Sequence, residues 1–553
     1  MSANYFCTWH LMYWFPENSD VANLQTRDVL CDELLFGENG VAVKHYPEVR
    51  NDLYLLLDDG WDVRSSQSST LPEDVWFRPY IGSCSLSEEK FPGYGATPPE
   101  RLKTLAGKVK NLGWKGLGVW ISPTVSYAPE IEGSGGSFED FFRKRMEWSK
   151  FAGVSYWKVD WGDYDMSDKH RKLLSALKEE IYPELIMEHA YNRSAYNKDG
   201  EESRFSLAVQ RHRLAYSDVL RLYDVAFALS IPTTLSRAAA LLTHPVRIKP
   251  GCLGLINAED EVYLAAALGL AFGVMRFDIG DAPVNSGPNW AFGGGGRFPA
   301  TRPARRQHDE VLRAVRWQTE FAPAFRADLG NTYVSETKLE DSWNFTSDET
   351  WEKNLCQGRE TSQCAPVKVA RNVDEPTMVS NGEPPYLVAC RNPNGALSIA
   401  TLGRVTPERG YYAPKAEIHW ELGANSGPVG IFGHYKSLAL DFDQPVEGKN
   451  ILAKDLLEDD FVDVTDQVRI EDNSIILDGA WMERLCQNRP GDFSEPGLVI
   501  KIGDTFAQVE TPPAKLKRPA FDWLCVAQLN VAAACKAFAL KLHRRKKHRG
   551  VVK

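Results

Sequence analysis

Acidic residues follow four separate apolar runs of this chain, and they are Asp58 with Asp59, Asp160, Glu188 and Asp224. Each run is long enough for one buried strand, so each carboxylate would stand where a strand ends. The carboxyl ends of parallel strands in a closed barrel meet at one mouth, and acids placed there share one pocket. Two such carboxylates, one ionised and one protonated, can cleave a glycosidic bond. The pattern therefore predicts a carbohydrate site built from strand ends.

The stretch around Asp160 shows this pattern most clearly. Residues 154–159 are apolar or aromatic except for Ser155 and Lys158, and Gly162 ends the run. An ordinary strand-end ion pair between Lys158 and Asp160 is the alternative interpretation, because structural ion pairs are common. The recurrence of the same pattern at the other three runs favours a site.

The two catalytic roles can be divided only in outline from the residue types. Asp160 lies two positions from Lys158, whose charge would keep the carboxylate ionised, as a nucleophile requires. Asp224 would stand on another wall, where it could donate the proton if it is partly desolvated. The residues alone leave the two roles interchangeable.

Alternating strands and helices account for the first part of the chain, because apolar runs alternate there with segments of helical spacing. An alternation of this length predicts a (β/α)8 TIM barrel over residues 1–330. The predicted helices include residues 102–112, 138–151, 169–181, 227–243 and 304–317.

The pattern changes after about residue 330. Residues 371–512 carry short alternating runs with turn signals such as Asn394-Gly395, which predicts a C-terminal all-β sandwich. We expect residues 331–370 to be a linker and residues 513–553 to form a basic helical tail.

Composition limits the class of protein. Hydrophobic residues make up 43% and charged residues 25% of the chain, as in soluble globular proteins, and the net charge of −10 argues against nucleic acid as a partner. The ten cysteines lack CxxC or Cys/His spacing, so we expect no zinc and no other metal or organic cofactor. The first residues lack the features of a secretory signal, which predicts a cytoplasmic protein.

Six motifs occur in a fixed order along the barrel segment. They are Cys7-Thr-Trp9, Leu57-Asp58-Asp59-Gly-Trp61, Gly116-Leu-Gly-Val-Trp120-Ile, Trp157-Lys158-Val-Asp160, Met187-Glu188 and Arg221-Leu-Tyr-Asp224. Each motif alone is weak, but the ordered set resembles the α-galactosidase (melibiase) superfamily of retaining glycoside hydrolases, which also contains raffinose synthases and α-N-acetylgalactosaminidases. The resemblance covers residues 1 to about 325 and implies a barrel followed by a β-sandwich.

The resemblance also implies a role for each matched residue. Asp160 would form the glycosyl-enzyme intermediate and Asp224 would be the acid/base. The implied sugar contacts are Asp58 and Asp59 at the 4- and 6-hydroxyls, Lys158 at the 3-hydroxyl, Arg221 and Glu188 at the 2-hydroxyl, and Trp9 as a stacking wall. Trp120 ends another strand and is a further candidate for contact with the sugar. The spacing from Arg221 to Asp224 is one residue shorter than in the best-known branch, so Asp218 is an alternative acid.

We therefore expect a retaining α-glycosidase that hydrolyses terminal α-galactosides. Glu188 favours a free 2-hydroxyl over an acetamido group, because a carboxylate is poorly matched to a methyl group. One alternative is an α-galactosyl transferase of the raffinose-synthase type, in which an acceptor sugar replaces water. A second alternative is a sugar-binding barrel without activity.

The C-terminal segment is first apolar and then basic. Residues 521–542 form an alanine-rich apolar helix, and residues 541–553 include the run Arg544-Arg-Lys-Lys547. Such a tail could contact an anionic membrane or act as a nuclear address. A solvated end is at least as good an interpretation, so we expect the carbohydrate substrate as partner, neither nucleic acid nor membrane, and we leave a homo-oligomer open.

Overall fold

A computed structural model describes most of the chain. The described residues are 2–13, 30–63, 79–190, 204–222, 230–277, 304–344, 360–423, 427–486, 494–503, 516, 519 and 521–550. Its two main parts are a closed barrel and a β-sandwich.

Eight parallel strands form the barrel wall. They are β1 (Tyr5–Cys7), β2 (Tyr54–Leu57), β3 (Gly116–Ile121), β4 (Val154–Val159), β5 (Ile186–Ala190), β6 (Val219–Arg221), β7 (Leu255–Asn257) and β8 (Gly273–Val274). Each strand from β1 to β7 pairs with the next in sequence, and β1 also pairs with β8. A parallel bridge between Asn257 and Ala271 closes the circle beside β8. The predicted (β/α)8 barrel is confirmed.

Helices alternate with the barrel strands. They are α1 (Asp32–Phe36), α2 (Val41–Lys44), α3 (Pro98–Asn111), α4 (Phe138–Ala152), α5 (Asp168–Ile181), α6 (Arg204–Leu214), α7 (Ser230–Thr243), α8 (Val262–Leu268) and α9 (Ala304–Glu320), with 3-10 turns at Thr8–Tyr13 and Arg50–Asp52. Local signals fix the helix that precedes β4. The hydroxyl of Ser137 accepts a hydrogen bond from the N–H of Asp140 at its start, and Gly153, with φ of 76°, ends it. The chain therefore enters β4 from a defined point.

The C-terminal part is almost entirely β-structure. Its strands are β9 (Thr332–Val334), β10 (Lys338–Asn344), β11 (Glu360–Pro366), β12 (Lys368–Arg371), β13 (Thr377–Val379), β14 (Tyr386–Arg391), β15 (Leu397–Leu402), β16 (Arg404–Thr406), β17 (Gly410–Tyr412), β18 (Glu417–Gly423), β19 (Val429–Phe432), β20 (Ser437–Phe442), β21 (Ile451–Asp455), β22 (Val462–Asp463), β23 (Arg469–Glu471), β24 (Ser474–Asp478) and β25 (Gly497–Ile502). A 3-10 turn (Thr465–Gln467), α10 (Gly479–Leu485) and the long helix α11 (Asp522–Gly550) complete the described elements.

Two large sheets form the predicted sandwich. One has the strand order β22-β21-β25-β19-β15-β14-β12-β9 and the other β13-β18-β20-β24-β23. In β18 buried and exposed residues alternate, with Ile418, Trp420 and Leu422 buried. These side chains share one apolar core with residues of the larger sheet such as Ile399 and Ile431. The period-two pattern of β18 thus corresponds to a single buried face of this strand.

The other face of the larger sheet packs on the barrel. The ring centroid of Phe432 on β19 lies 4.9 Å from that of Tyr263 on α8 and 6.0 Å from that of Trp317 on α9. At Gly430 a Cβ atom would lie 3.0 Å from the Trp317 ring, so glycine permits this close approach without a shift of the ring. The barrel and the sandwich therefore share a tightly packed apolar contact.

Arg313 on α9 makes a buried ion pair across this contact. Its Nε and Nη2 atoms lie 2.8 Å from the two carboxylate oxygens of Asp455 at the end of β21. We expect Arg313→Met to lower the free energy of unfolding by about 3–5 kcal/mol, because Asp455 would remain buried without its cation. Urea unfolding measures the change.

Arg316 on the same helix provides the matched control. It pairs at 3.3 Å with Asp459, whose side chain is 89% exposed. Nη1 of Arg316 also donates to the carbonyl oxygens of Leu456 and Leu457. We expect Arg316→Met to cost about 1–2 kcal/mol, because solvent screens the exposed ion pair and the loss is mainly that of these two hydrogen bonds. Equal losses in the two variants would contradict a special role for the Arg313–Asp455 pair.

Candidate active site

The register of the barrel strands brings the predicted polar residues to one region. Trp120 on β3 stands beside Lys158 on β4, which stands beside Glu188 on β5. Asp160 follows the end of β4, and Arg221 is the last residue of β6. Side chains from these four neighbouring strands can therefore meet at the carboxyl ends of the barrel strands.

The carboxylate of Asp160 is held by residues from both sides. The indole Nε1 of Trp120 donates a hydrogen bond to Oδ2 at 3.0 Å, and Nη2 of Arg221 lies 3.2 Å from Oδ1. The backbone is fixed as well, because Nη2 of Arg171 donates to the carbonyl oxygen of Asp160 at 2.8 Å. Asp160 is thus a buried, charge-paired carboxylate in a defined orientation.

Lys158 on β4 pairs with Asp58, which follows β2 on the other side of β3. Its Nζ atom lies 2.7 Å from Oδ2 of Asp58, and the thiol of Cys7 donates to the same oxygen at 3.0 Å. Burial and the nearby Arg221 lower the pKa of Lys158, but Asp58 and other acidic neighbours raise it above its ordinary value. Lys158 is therefore a buried ammonium group. The alternative interpretation of an ion pair between Lys158 and Asp160 is therefore set aside, because Lys158 pairs with Asp58 and Asp160 pairs with Arg221.

Glu188 lies at the centre of a buried polar cluster. Its carboxylate accepts hydrogen bonds from the hydroxyl of Tyr156 at 2.8 Å, the side-chain amide of Asn257 at 2.7 Å and the hydroxyl of Tyr5 at 3.2 Å. Burial raises the pKa of Glu188, although Arg221 and Asn257 act in the opposite direction. The structure thus surrounds Glu188 with protein donors from three other strands.

Glu259 is a site residue that the sequence analysis missed. It lies two residues beyond β7, and its Oε1 atom is 3.0 Å from Nη1 of Arg221. Its backbone has φ of 48°, and its N–H donates to the side chain of Asn257 at 2.7 Å. Arg221 is therefore held between Asp160 and Glu259. The sequence does contain the pattern that marks this residue, because Glu259 follows an apolar strand as the other acids do.

The remaining predicted contacts lie at the ends of β1 and β2. Trp9 stands in the 3-10 turn after β1 and is mostly buried. The backbone N–H of Asp59 donates to Oδ1 of Asp58 at 2.9 Å, so these two acids form one compact turn. Asp224 falls outside the described residues, and its role as acid/base stays a prediction.

Asp218 is at the opposite end of β6 from Arg221. It precedes the strand, accepts hydrogen bonds from the backbone N–H groups of Met187 and Leu253, and pairs with Lys178 at 3.1 Å. Arg221 is three positions further along the chain, which in a strand is about 10 Å. The alternative that Asp218 is the acid is therefore set aside.

The acids of this region do not form a metal site in the part of the chain that the structure describes. No group of three or more His, Cys, Asp or Glu side chains is placed there to hold a metal ion. Instead the carboxylates of Asp58 and Asp160 face the side chains of Lys158 and Arg221.

Asp62, in the turn after β2, should make the stability of the fold depend on pH. Burial raises its pKa to about 7, and the nearby Asp59 acts in the same direction, whereas a hydrogen bond from the N–H of Cys84 acts against it. Between about pH 4 and pH 7, Asp62 therefore carries a proton in the folded protein but not in the unfolded chain. Stability falls as the pH rises through this range, since the unfolded state binds fewer protons.

We expect Asp62→Asn to remove this loss. The amide keeps an acceptor for Cys84 but carries no charge, so at pH 8 the variant should be more stable than the wild type by up to about 4 kcal/mol. Near pH 4 the two proteins should differ little. Urea unfolding across this pH range measures the difference, and a gain that is equal at both ends would contradict a buried, titrating Asp62.

Comparison with known proteins gives structural neighbours only. No protein-family model and no curated protein matches the chain. Among solved structures, a β-L-arabinopyranosidase from Geobacillus stearothermophilus is 9% identical to this chain and has a TM-score of 0.38. The alignment covers 91% of this chain and 97% of the arabinopyranosidase chain. An α-galactosidase from Mortierella vinacea is 11% identical with the same coverage and TM-score. An α-galactosidase from Saccharomyces cerevisiae is 11% identical, covers 92% of this chain and 94% of its own, and has a TM-score of 0.35.

Proposed function

We propose that this protein is a retaining α-glycosidase that hydrolyses terminal α-galactosides. The proposal rests on one observation, the fixed carboxylate of Asp160 at the carboxyl end of β4. A nucleophile that attacks the anomeric carbon must be ionised and correctly oriented before the substrate arrives. The cation of Arg221 favours the ionised form, and the indole of Trp120 fixes the orientation.

The surroundings of Asp160 suit a sugar. Hydroxyl groups need acceptors and donors at close range, and Asp58, Asp59 and Lys158 provide both beside the proposed nucleophile. The ion pair between Lys158 and Asp58 fixes the orientation of these two side chains in the absence of substrate. We propose that they bind the 3-, 4- and 6-hydroxyls, with Trp9 as an aromatic wall.

We propose roles for Glu188 and Trp120 that differ from those expected from the sequence. Three protein donors already occupy the carboxylate of Glu188, so we propose that it orients the barrel wall rather than binding the 2-hydroxyl itself. Trp120 is fully buried and donates its N–H to Asp160, so we propose that it orients the nucleophile instead of stacking on the sugar. Arg221 is then the remaining candidate for the 2-hydroxyl.

The mechanism follows from these positions. Asp160 attacks the anomeric carbon while Asp224 donates a proton to the leaving oxygen, and water then releases the sugar with Asp224 as base. Two inversions at one carbon give net retention. The experiment is hydrolysis of 4-nitrophenyl α-D-galactopyranoside followed by proton NMR during the first turnovers. We expect α-galactose as the first product, before mutarotation.

The same assay separates the alternatives. First appearance of β-galactose would overturn the double displacement, and no turnover together with galactose binding by calorimetry would show a sugar-binding barrel. Addition of an acceptor sugar tests transfer, because a transferase would form a new disaccharide at the expense of free galactose. A β-L-arabinopyranoside, which lacks the 6-hydroxymethyl group, tests the contact proposed for Asp58 and Asp59.

A further inference from the structure

The helix α11 packs on the barrel along one side. Nε and Nη2 of Arg211 each lie 2.8 Å from a carboxylate oxygen of Asp522 at its start. Leu529 is buried against Val209 of α6. Two turns further on, Nζ of Lys536 lies 2.8 Å from Asp165 in the loop after β4. These three contacts fix which side of α11 faces the barrel.

The other side of α11 is apolar and open to solvent. Trp523 is 67% exposed, and Val531 and Phe538 are each 65% exposed. At about 100° per residue these three side chains lie on the half of the helix opposite Leu529. Asp522–Leu540 has a mean hydropathy of 1.5, is 11% buried, and is long and apolar enough to cross a membrane. Several large apolar side chains exposed together on one helix face are typical of a binding surface.

A strongly basic run continues the same helix. Between residues 541 and 549 there are six lysines and arginines and no acidic residue, in a chain whose net charge is −10. The helix extends through this run to Gly550. Basic residues next to an exposed apolar helix face are complementary to a surface that is anionic outside and apolar inside, which is the boundary of an anionic lipid bilayer.

We propose that α11 binds an anionic membrane surface as an interfacial helix. The face with Trp523, Val531 and Phe538 enters the boundary between headgroups and acyl chains, and the basic run contacts the headgroups. The opposite face stays on the barrel through Asp522 and Lys536. A spanning arrangement would break both ion pairs and place Lys536 within the hydrocarbon, so the contacts favour a helix that lies in the interface.

The test is cosedimentation of the full chain with phospholipid vesicles. We expect binding to phosphatidylcholine vesicles that contain about 30% phosphatidylserine to be at least about tenfold stronger than binding to phosphatidylcholine alone. High salt should weaken the binding, because it screens the basic run. Alkaline carbonate should release the bound protein, as it does for a helix that does not cross the bilayer.

Two variants test whether vesicle binding depends on the apolar face of α11 or on exposed apolar residues in general. Val531→Glu/Phe538→Glu should lower binding by about tenfold or more, because it places charge in the face that enters the bilayer. Phe151→Glu is the matched control, since Phe151 is an exposed phenylalanine at 55% on the barrel helix α4. It should bind as the wild type does. Circular dichroism and thermal unfolding of each variant establish that the fold is retained.

Four results would overturn the proposal. They are absence of vesicle binding, binding that is equal for the wild type and the α11 variant, resistance to carbonate extraction, and a dimer in solution that the α11 variant dissolves while vesicles remain unbound. Resistance to carbonate would show a spanning helix. The dimer would show that a second copy of the chain covers the apolar face. None of these results depends on the proposed glycosidase activity.

Discussion

Replacement of Asp160 by alanine is expected to lower kcat/KM for an aryl α-galactoside by about 10⁴-fold or more, since it removes the nucleophile. The aryl leaving group departs readily, so the loss reports the missing attack on the anomeric carbon rather than the proton transfer. The substitution also leaves a space beside Trp120 and Arg221, which both contact the wild-type carboxylate. Steady-state kinetics measure the effect.

Azide in the assay should restore part of the activity of Asp160→Ala. A small anion can occupy the space of the carboxylate next to the Arg221 cation and attack the anomeric carbon from the same face. The product should therefore be β-galactosyl azide, which NMR identifies. Formation of the α-azide would instead show that Asp160 is the acid/base and would exchange the two proposed roles.

Asp163, in the loop after β4 that begins with Asp160, is the matched control for Asp160→Ala. It follows the proposed nucleophile by three positions and is only partly buried. We expect Asp163→Ala to keep activity within about threefold of the wild type, because substitutions outside a site usually change free energies by less than about 0.5 kcal/mol. If Asp160→Ala retains as much activity as this control, Asp160 is not the nucleophile.

The barrel could be predicted from the sequence because its signals are local. Ser137 and Gly153 bound α4, and the predicted helix at residues 138–151 differs from the observed Phe138–Ala152 by one residue at its end. An apolar run followed by an acid marks the end of a strand in β2 and β4. These patterns depend on near neighbours, so the strand ends that carry Asp58 and Asp160 could be assigned without coordinates.

The pairing of charges could not be predicted in the same way. Lys158 and Asp160 are two residues apart in sequence, and the short distance suggested an ion pair. Across a parallel sheet, however, Lys158 reaches Asp58 on another strand, and Asp160 meets Arg221. Such partners depend on register and on closure of the barrel, which no local pattern encodes.

Two further residues illustrate the same limit in different ways. Glu259 lies between β7 and α8, and an acid in this place is typical of a helix start as well as of a strand end. Only its contact with Arg221 assigns it to the site. Asp218 lies close to β6 in sequence, and the exact start of this three-residue strand decides at which end of the barrel Asp218 stands. The structure places Asp218 before the strand, where it pairs with Lys178.

Replacement of Lys158 by methionine is expected to lower the free energy of unfolding by about 3–5 kcal/mol. Lys158 and Asp58 are buried and lie 2.7 Å apart, so loss of the ammonium group leaves the Asp58 carboxylate without its cation. Urea unfolding at neutral pH measures the loss. Lys108→Met is the control, because the Lys108–Asp32 pair at 2.6 Å is partly exposed and should contribute less than about 1 kcal/mol.

The double variant Lys158→Met/Asp58→Asn decides whether the loss comes from an unpaired charge. If it does, the neutral asparagine should recover most of the stability, because no charge then remains buried without a partner. Activity should stay low in both variants, since each lacks the donors and acceptors proposed for the sugar hydroxyls. A double variant as unstable as Lys158→Met would show that the packing of the lysine chain, rather than its charge, stabilises this part of the barrel.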